Sequence, residues 1–137
     1  NAGTAGIAIV TGNSSGGNFN IVSGNLVEGC NIGVLFSQNY NNISSNIVVG
    51  GVTGITCSGS SVDWVVASNV VQGATTRGIY INTCGNGNIN GNSVDSSSAT
   101  NEIEVVGSEN LVDGNSAVAG TIDTTGCTTC VVADNNI

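Results

Sequence analysis

The feature that most constrains this chain is a mark repeated six times: an aliphatic residue followed three positions later by asparagine. It occurs as Val22 to Asn25, Ile43 to Asn46, Val66 to Asn69, Ile89 to Asn92, Val112 to Asn115 and Val132 to Asn135. Successive marks are 21, 23, 23, 23 and 20 residues apart. Two residues beyond each Asn stands another apolar residue: Val27, Val48, Val71, Val94, Ala117 and Ile137. A period of this length is the signature of stacked units, none of which can bury its apolar face alone.

A second element recurs between the marks. It reads Gly6-Ile7-Ala8-Ile9, Gly33-Val34-Leu35-Phe36, Gly54-Ile55-Thr56-Cys57 and Gly78-Ile79-Tyr80-Ile81. Looser copies follow at Glu102-Ile103-Glu104-Val105 and Thr121-Ile122-Asp123-Thr124. Each opens near a turn and then alternates with period two, as half-buried strands do. No stretch carries a helical stripe. We therefore expect an all-β chain, a right-handed parallel β-helix (solenoid) of about six coils with three short strands per coil. We expect one domain over residues 1–137, cut from a longer chain, since the sequence opens on Asn1 and contains no Met.

In such a stack the column Val22, Ile43, Val66, Ile89, Val112, Val132 faces inward. β-Branched side chains suit it because they are stiff and pack well on a pleated surface. The Asn of each mark then stands at a tight corner. Asn and Gly reach the left-handed backbone region at least cost. The side chain of Asn can also bond to the same position one coil away, forming a ladder. The structural ladder is thus Asn25, Asn46, Asn69, Asn92, Asn115 and Asn135. One residue earlier than each inward aliphatic lies the column Ile21, Asn42, Val65, Asn88, Leu111, Val131. Either it faces outward as an apolar stripe, which would mark an interface, or a bend turns it inward.

Composition narrows the partners. Charged residues are 7% of the chain and the net charge is −8, with Arg77 the only basic side chain. That excludes phosphate-dominated recognition of nucleic acid and attraction to an anionic membrane surface. Apolar runs fall short of the ~20 residues of a membrane-spanning helix. Aromatics are 4%, so the core has to be built from Val and Ile.

The pattern Gly-Ile-x-Ile, an Asn/Ser turn, then Ile-x-x-Asn-x-Val, as in Gly78 to Ile81 and Ile89 to Val94, resembles the parallel β-helix repeat of the pectin-lyase-like superfamily. The resemblance covers essentially the whole chain. It implies the fold, whereas the repeat encodes corners and core and not chemistry. Within that superfamily the chain looks most like a segment of a phage tailspike or surface fibre. That likeness implies a homo-oligomer, a trimer, bound to cell-surface polysaccharide on a virion tail, cell surface or other extracellular site. Lyases of the superfamily use an Arg or Lys beside calcium-binding carboxylates. Here there is one Arg, no Lys and no dense Asp cluster.

Candidate chemistry centres on acidic residues. Glu102 and Glu104 flank Ile103, so an inward Ile103 would point both carboxylates outward. Aligning Ile122 with Ile103 sets Asp123 beside Glu104, near the ~5–5.5 Å spacing of acid and nucleophile in retaining glycosidases. Tyr80 aligns with Glu104 on the other side, and Arg77 lies just before that strand. Glu104, Asp123 and Glu102 are the candidate catalytic residues, with Arg77 and Tyr80 as binding residues. The same side chains are also what a solvated β-helix exterior would carry. Calcium at these carboxylates is a further option; no other cofactor or metal is indicated. Phe19, Tyr40 and Trp64 precede their Asn by six, six and five residues and could line one edge as a glycan platform or close the core.

Cys30, Cys57, Cys84, Cys127 and Cys130 are odd in number. Without His or a second C-x-x-C pair, Cys127 and Cys130 do not make a zinc site. We expect most of the five to be reduced, buried fillers, with a disulfide between neighbouring turns as the alternative. Asn13-Ser14-Ser15 and Asn42-Ile43-Ser44 match the N-glycosylation pattern. Three functions fit this reading: a structural and receptor-binding module of a tailspike or fibre, a polysaccharide-cleaving glycosidase, and a self-assembling filament or adhesin.

Overall fold

The computed structural model describes residues 5–9, 19–96, 101–118 and 120–137. These form a parallel β-solenoid of about five turns, with no helix among the described residues. The first coil supplies β1 (Ala5–Ile9), β2 (Asn20–Ser23) and β3 (Leu26–Glu28), and the second β4 (Ile32–Phe36), β5 (Asn41–Ser44) and β6 (Ile47–Val49). The third holds β7 (Thr53–Ser58), β8 (Val65–Ala67) and β9 (Val70–Gln72), and the fourth β10 (Arg77–Gly85), β11 (Asn88–Asn90) and β12 (Ser93–Asp95). The fifth holds β13 (Asn101–Ser108), β14 (Leu111–Asp113) and β15 (Ser116–Ala117). A partial coil follows with β16 (Ile122–Asp123), β17 (Cys127–Thr128) and β18 (Val131–Ala133). The five complete coils account for the slightly longer count expected from six marks.

Each strand pairs in parallel with its equivalent one coil away, which builds three sheets. The first sheet runs β1-β4-β7-β10-β13-β16, with β17 also on β13. The second runs β2-β5-β8-β11-β14-β18 and the third β3-β6-β9-β12-β15. The register is the one the marks demand: Val22 on Ile43, Ile43 on Val66, Val66 on Ile89, Ile89 on Val112 and Val112 on Val132. The first five of this column are buried. Val132 is 50% exposed because no further coil among the described residues covers it. The neighbouring column faces outward, with Ile21 74% exposed, and so forms the external stripe.

The Asn ladder is continuous. Backbone N and Nδ2 of each Asn both donate to Oδ1 of the next: Asn25 to Asn46 (3.1 and 2.9 Å), Asn46 to Asn69 (2.9 and 3.0 Å), Asn69 to Asn92 (3.0 and 3.0 Å). Asn92 to Asn115 (3.1 and 2.9 Å) and Asn115 to Asn135 (2.9 and 2.9 Å) complete it. The second Nδ2 proton of Asn69 goes to the Ile43 carbonyl, and that of Asn92 to Val66. One short amide thus satisfies buried groups in three coils, which an Asp, lacking donors, could not do.

The left-handed residue is not the Asn, as expected from the sequence, but the one before it. Gly24, Ser45, Ser68, Gly91, Gly114 and Asp134 all have φ between 47° and 69°. That turn frees the Asn backbone to stay extended while its side chain points into the interior.

A glycine column sets the corner between the third sheet and the next coil's first sheet. A Cβ at Gly33, Gly54 or Gly78 would stand 2.3, 2.3 or 2.1 Å from a methyl of Val48, Val71 or Val94. In the fifth coil this station is Glu102, and the valine opposite has become Ala117. Removing two methyl groups makes room for a side chain to turn inward there.

Candidate functional site

The outer face of the first sheet brings together most of the polar residues singled out from sequence. Tyr80 pairs in register with Glu104, Glu104 with Asp123, and Arg77 with Asn101. The alternation that sends Ile79, Ile103 and Val105 inward leaves Tyr80, Glu104 and Asp123 outside, and Arg77 and Asn101, one residue before the corner station of Gly78 and Glu102, join them through their contacts with Glu104. Arg77 Nε donates to Glu104 Oε2 at 2.5 Å, and its guanidinium lies 4.2 Å from the centre of the Tyr80 ring. Asn101 Nδ2 lies between the two carboxylates, 3.3 Å from Glu104 Oε2 and 3.2 Å from Asp123 Oδ2. Asn101 completes this cluster, and sequence reasoning had passed over it. Its signal was present, since it stands one coil from Arg77 at the same station.

The electrostatics follow from these contacts. The Glu104 hydrogen bond and charge raise the Arg77 pKa above its ordinary value, although desolvation opposes the shift. Asp123 is lowered, because Oδ1 accepts from the Thr125 backbone N (2.9 Å) and hydroxyl (2.7 Å). Its carboxylate therefore favours the ionised form.

Glu102 is not in the cluster. It is fully buried, pointing away from Glu104, and its Oε1 accepts from the Ser96 backbone N at 2.7 Å. The expected outward pair fails because Glu102 sits at the corner where the chain enters β13. There the two-residue alternation that begins at Ile103 has not yet started. Among the described residues no three His, Cys, Asp or Glu side chains are grouped to hold a metal ion.

The aromatic residues split. Phe19 and Tyr40 stack on the exterior with ring centres 4.9 Å apart and 21° between planes. Trp64 leaves that line and is buried, tilted against Phe36 at 5.8 Å. It fills a second inward corner column, Asn20, Asn41, Trp64, Gly87, Asn110 and Cys130. Here Asn20 Nδ2 bonds Asn41 Oδ1 (3.0 Å), and Asn110 takes the Gly87 N–H (2.9 Å) and donates to the Cys84 carbonyl (3.0 Å). Gly87 is required above the indole, because a Cβ there would lie 2.1 Å from Trp64 Cε2. The exterior aromatics are a pair, Phe19 and Tyr40. Their faces are turned toward each other along the solenoid and their edges toward solvent.

Four of the five cysteines are paired, contrary to the expectation of reduced fillers. Cys57 and Cys84 join the third and fourth coils inside the core, with Cα atoms 6.5 Å apart. A bulge in β10 puts Thr83 in the left-handed region and re-aims Cys84 inward, toward Cys57. Cys127 and Cys130 form a second disulfide, and Cys30 is a free thiol. Of the two glycosylation-type sites, Asn42 is exposed on β5, and Asn13 lies outside the described residues. The chain matches no protein-family model, no curated protein and no solved structure.

Proposed function

We propose that this chain is a structural and receptor-binding β-solenoid module, part of a surface spike or fibre of the phage-tailspike kind, that contacts cell-surface polysaccharide. The observation that carries the reading is the external cluster of Arg77, Tyr80, Asn101, Glu104 and Asp123. It offers donors and acceptors on a flat, rigid sheet at the spacing of successive coils. Hydroxyl-rich chains are recognised by such fixed arrays of amide, carboxylate and guanidinium groups. The interior is packed with side chains, so ligand chemistry has only the outer faces to use. The two disulfides support the extracellular setting over a reducing one. The outward stripe of Ile21, Val65, Leu111 and Val131 supports lateral packing against further copies, a trimer in the tailspike case.

Cleavage is the weaker reading. A glycosidase needs one carboxyl held protonated to donate to the leaving oxygen. Asp123 is pulled toward the ionised form by Thr125, and Glu104 is tied to Arg77. That pull on Asp123 disfavours it as the acid.

A glycan array probed with the labelled chain tests the proposal. Binding to a polysaccharide should fall roughly tenfold or more in Arg77→Gln and in Asn101→Ala, with the β-sheet signal unchanged. Undiminished binding by both variants would overturn the assignment of the cluster. Release of reducing ends by the parent chain, lost in Glu104→Gln, would establish the enzyme instead.

A further inference from the structure

The two disulfides differ in everything that governs attack by a thiolate. Cys57–Cys84 spans 27 residues and both cysteines are fully buried, so an incoming sulfur has no path to it without opening the core. Cys127–Cys130 spans 3 residues, and both cysteines are partly exposed. The residues it encloses, Thr128 and Thr129, are exposed, and Thr129 adopts φ 60°. A disulfide that closes so short a loop removes little chain entropy and resists reduction correspondingly less.

The surroundings of the second pair distinguish its two sulfurs. Asn110 is buried and fixed by the Cys84 carbonyl and the Gly87 N–H, and its Nδ2 points to Cys127 Sγ at 3.8 Å. A donor so placed stabilises negative charge on Cys127. Cys130 carries no such donor among the described residues, and it holds the corner station that Asn110 fills one coil earlier. The disulfide therefore replaces a side-chain corner bond. It ties β17, which pairs with Gly107 and Ser108, to the start of β18, where the Val131 N–H bonds the Asn110 carbonyl at 2.9 Å.

We propose that Cys127–Cys130 is a redox-reactive site for external dithiols and that its reduction unlatches the last coil, while Cys57–Cys84 remains a permanent staple. A dithiol thiolate attacks Cys130 Sγ, the Cys127–Cys130 bond breaks, and Cys127 leaves as a thiolate beside Asn110. The second thiol of the reductant, as its thiolate, then attacks its own sulfur in the mixed disulfide and releases Cys130. Two electrons pass to the protein, both cysteines take up protons, and the dithiol becomes a cyclic disulfide. The freed corner no longer holds β17 and β18 against β13 and β14.

The test uses the intact oxidised chain in dithiothreitol without denaturant, with timed alkylation and peptide mapping. Cys30, already a free thiol, is alkylated before reductant is added and serves as the internal standard. Cys127 and Cys130 should become labelled roughly tenfold faster, or more, than Cys57 and Cys84. Hydrogen exchange on the reduced chain should show lost protection at the Val131 and Glu109 amides, with the Asn69 and Asn92 amides unchanged. The variant Cys127→Ser with Cys130→Ser should exchange like the reduced chain without any reductant. Labelling of all four cysteines together overturns the selective site. Selective labelling with no change at Val131 and Glu109 overturns the latch.

Discussion

Asn69 donates its backbone N–H and one Nδ2 proton to Asn92, donates the other to Ile43, and accepts two hydrogen bonds from Asn46. Replacing it by Ala strands the Asn46 N–H and the Ile43 carbonyl in the interior, each a buried group costing ~1–3 kcal/mol when unpaired. Asn69→Ala should therefore lose about 3 kcal/mol or more in urea unfolding, while the outward Asn90→Ala stays within about 0.5 kcal/mol. The aliphatic-x-x-Asn spacing made this ladder legible in the sequence alone. The backbone turn was misassigned by one residue because the inward pull on the Asn side chain comes from partners a whole coil away. At the surface, Asp123 titrates below the ordinary Asp value of about 3.9, because the Thr125 amide and hydroxyl bond its charged form. Its contribution is present above the unfolded pKa and is lost as pH falls through the folded one. An NMR titration should give the Asp123 carboxyl a midpoint below that value, and Thr125→Ala, which removes the hydroxyl and keeps the amide, should move it part of the way back up.

At the scale of strands and corners, size complementarity decides what each coil tolerates. Gly54 faces Val71 so closely that Gly54→Ala brings a Cβ to 2.3 Å from a valine methyl and 2.5 Å from the Gly78 carbonyl. Overpacking of this kind costs about 1–3 kcal/mol. The double change Gly54→Ala with Val71→Ala should lose less than the sum of the two single changes in the same unfolding experiment, because the chain itself pairs Glu102 with Ala117. This exchange explains why Glu102 was misread. Period-two alternation orients residues inside a strand, and Glu102 stands at a corner whose volume depends on residue 117. For Trp64 the sequence left edge and core open, for a related reason. Its room comes from Gly87 one coil on, a vertical relation that horizontal spacing does not encode. Tyr80, Glu104 and Asp123 were legible because each lies within the alternating part of its strand, and Arg77 because it stands just before that strand.

For the whole molecule, parallel stacking makes every coil depend on its neighbours, and a cross-link between coils acts on the unfolded chain. Cys57–Cys84 joins residues 27 apart in the sequence, which in the chain-entropy account corresponds to about 3–4 kcal/mol. Cys57→Ala with Cys84→Ala should lower stability by about that amount without changing the β-sheet signal, as followed by calorimetry. The sequence left a disulfide between neighbouring turns open but did not single out this pair, because the Thr83 bulge that brings Cys84 inward breaks the alternation. The fold as a whole rests on side chains at one station bonding across coils. Hydrogen-bond scalar couplings on labelled protein observe that directly, from the backbone 15N of Asn46, Asn69 and Asn92 to the side-chain carboxamide carbon of Asn69, Asn92 and Asn115. The account predicts all three couplings, each between residues one coil apart. Their absence, together with fast solvent exchange of those three amides, would contradict it.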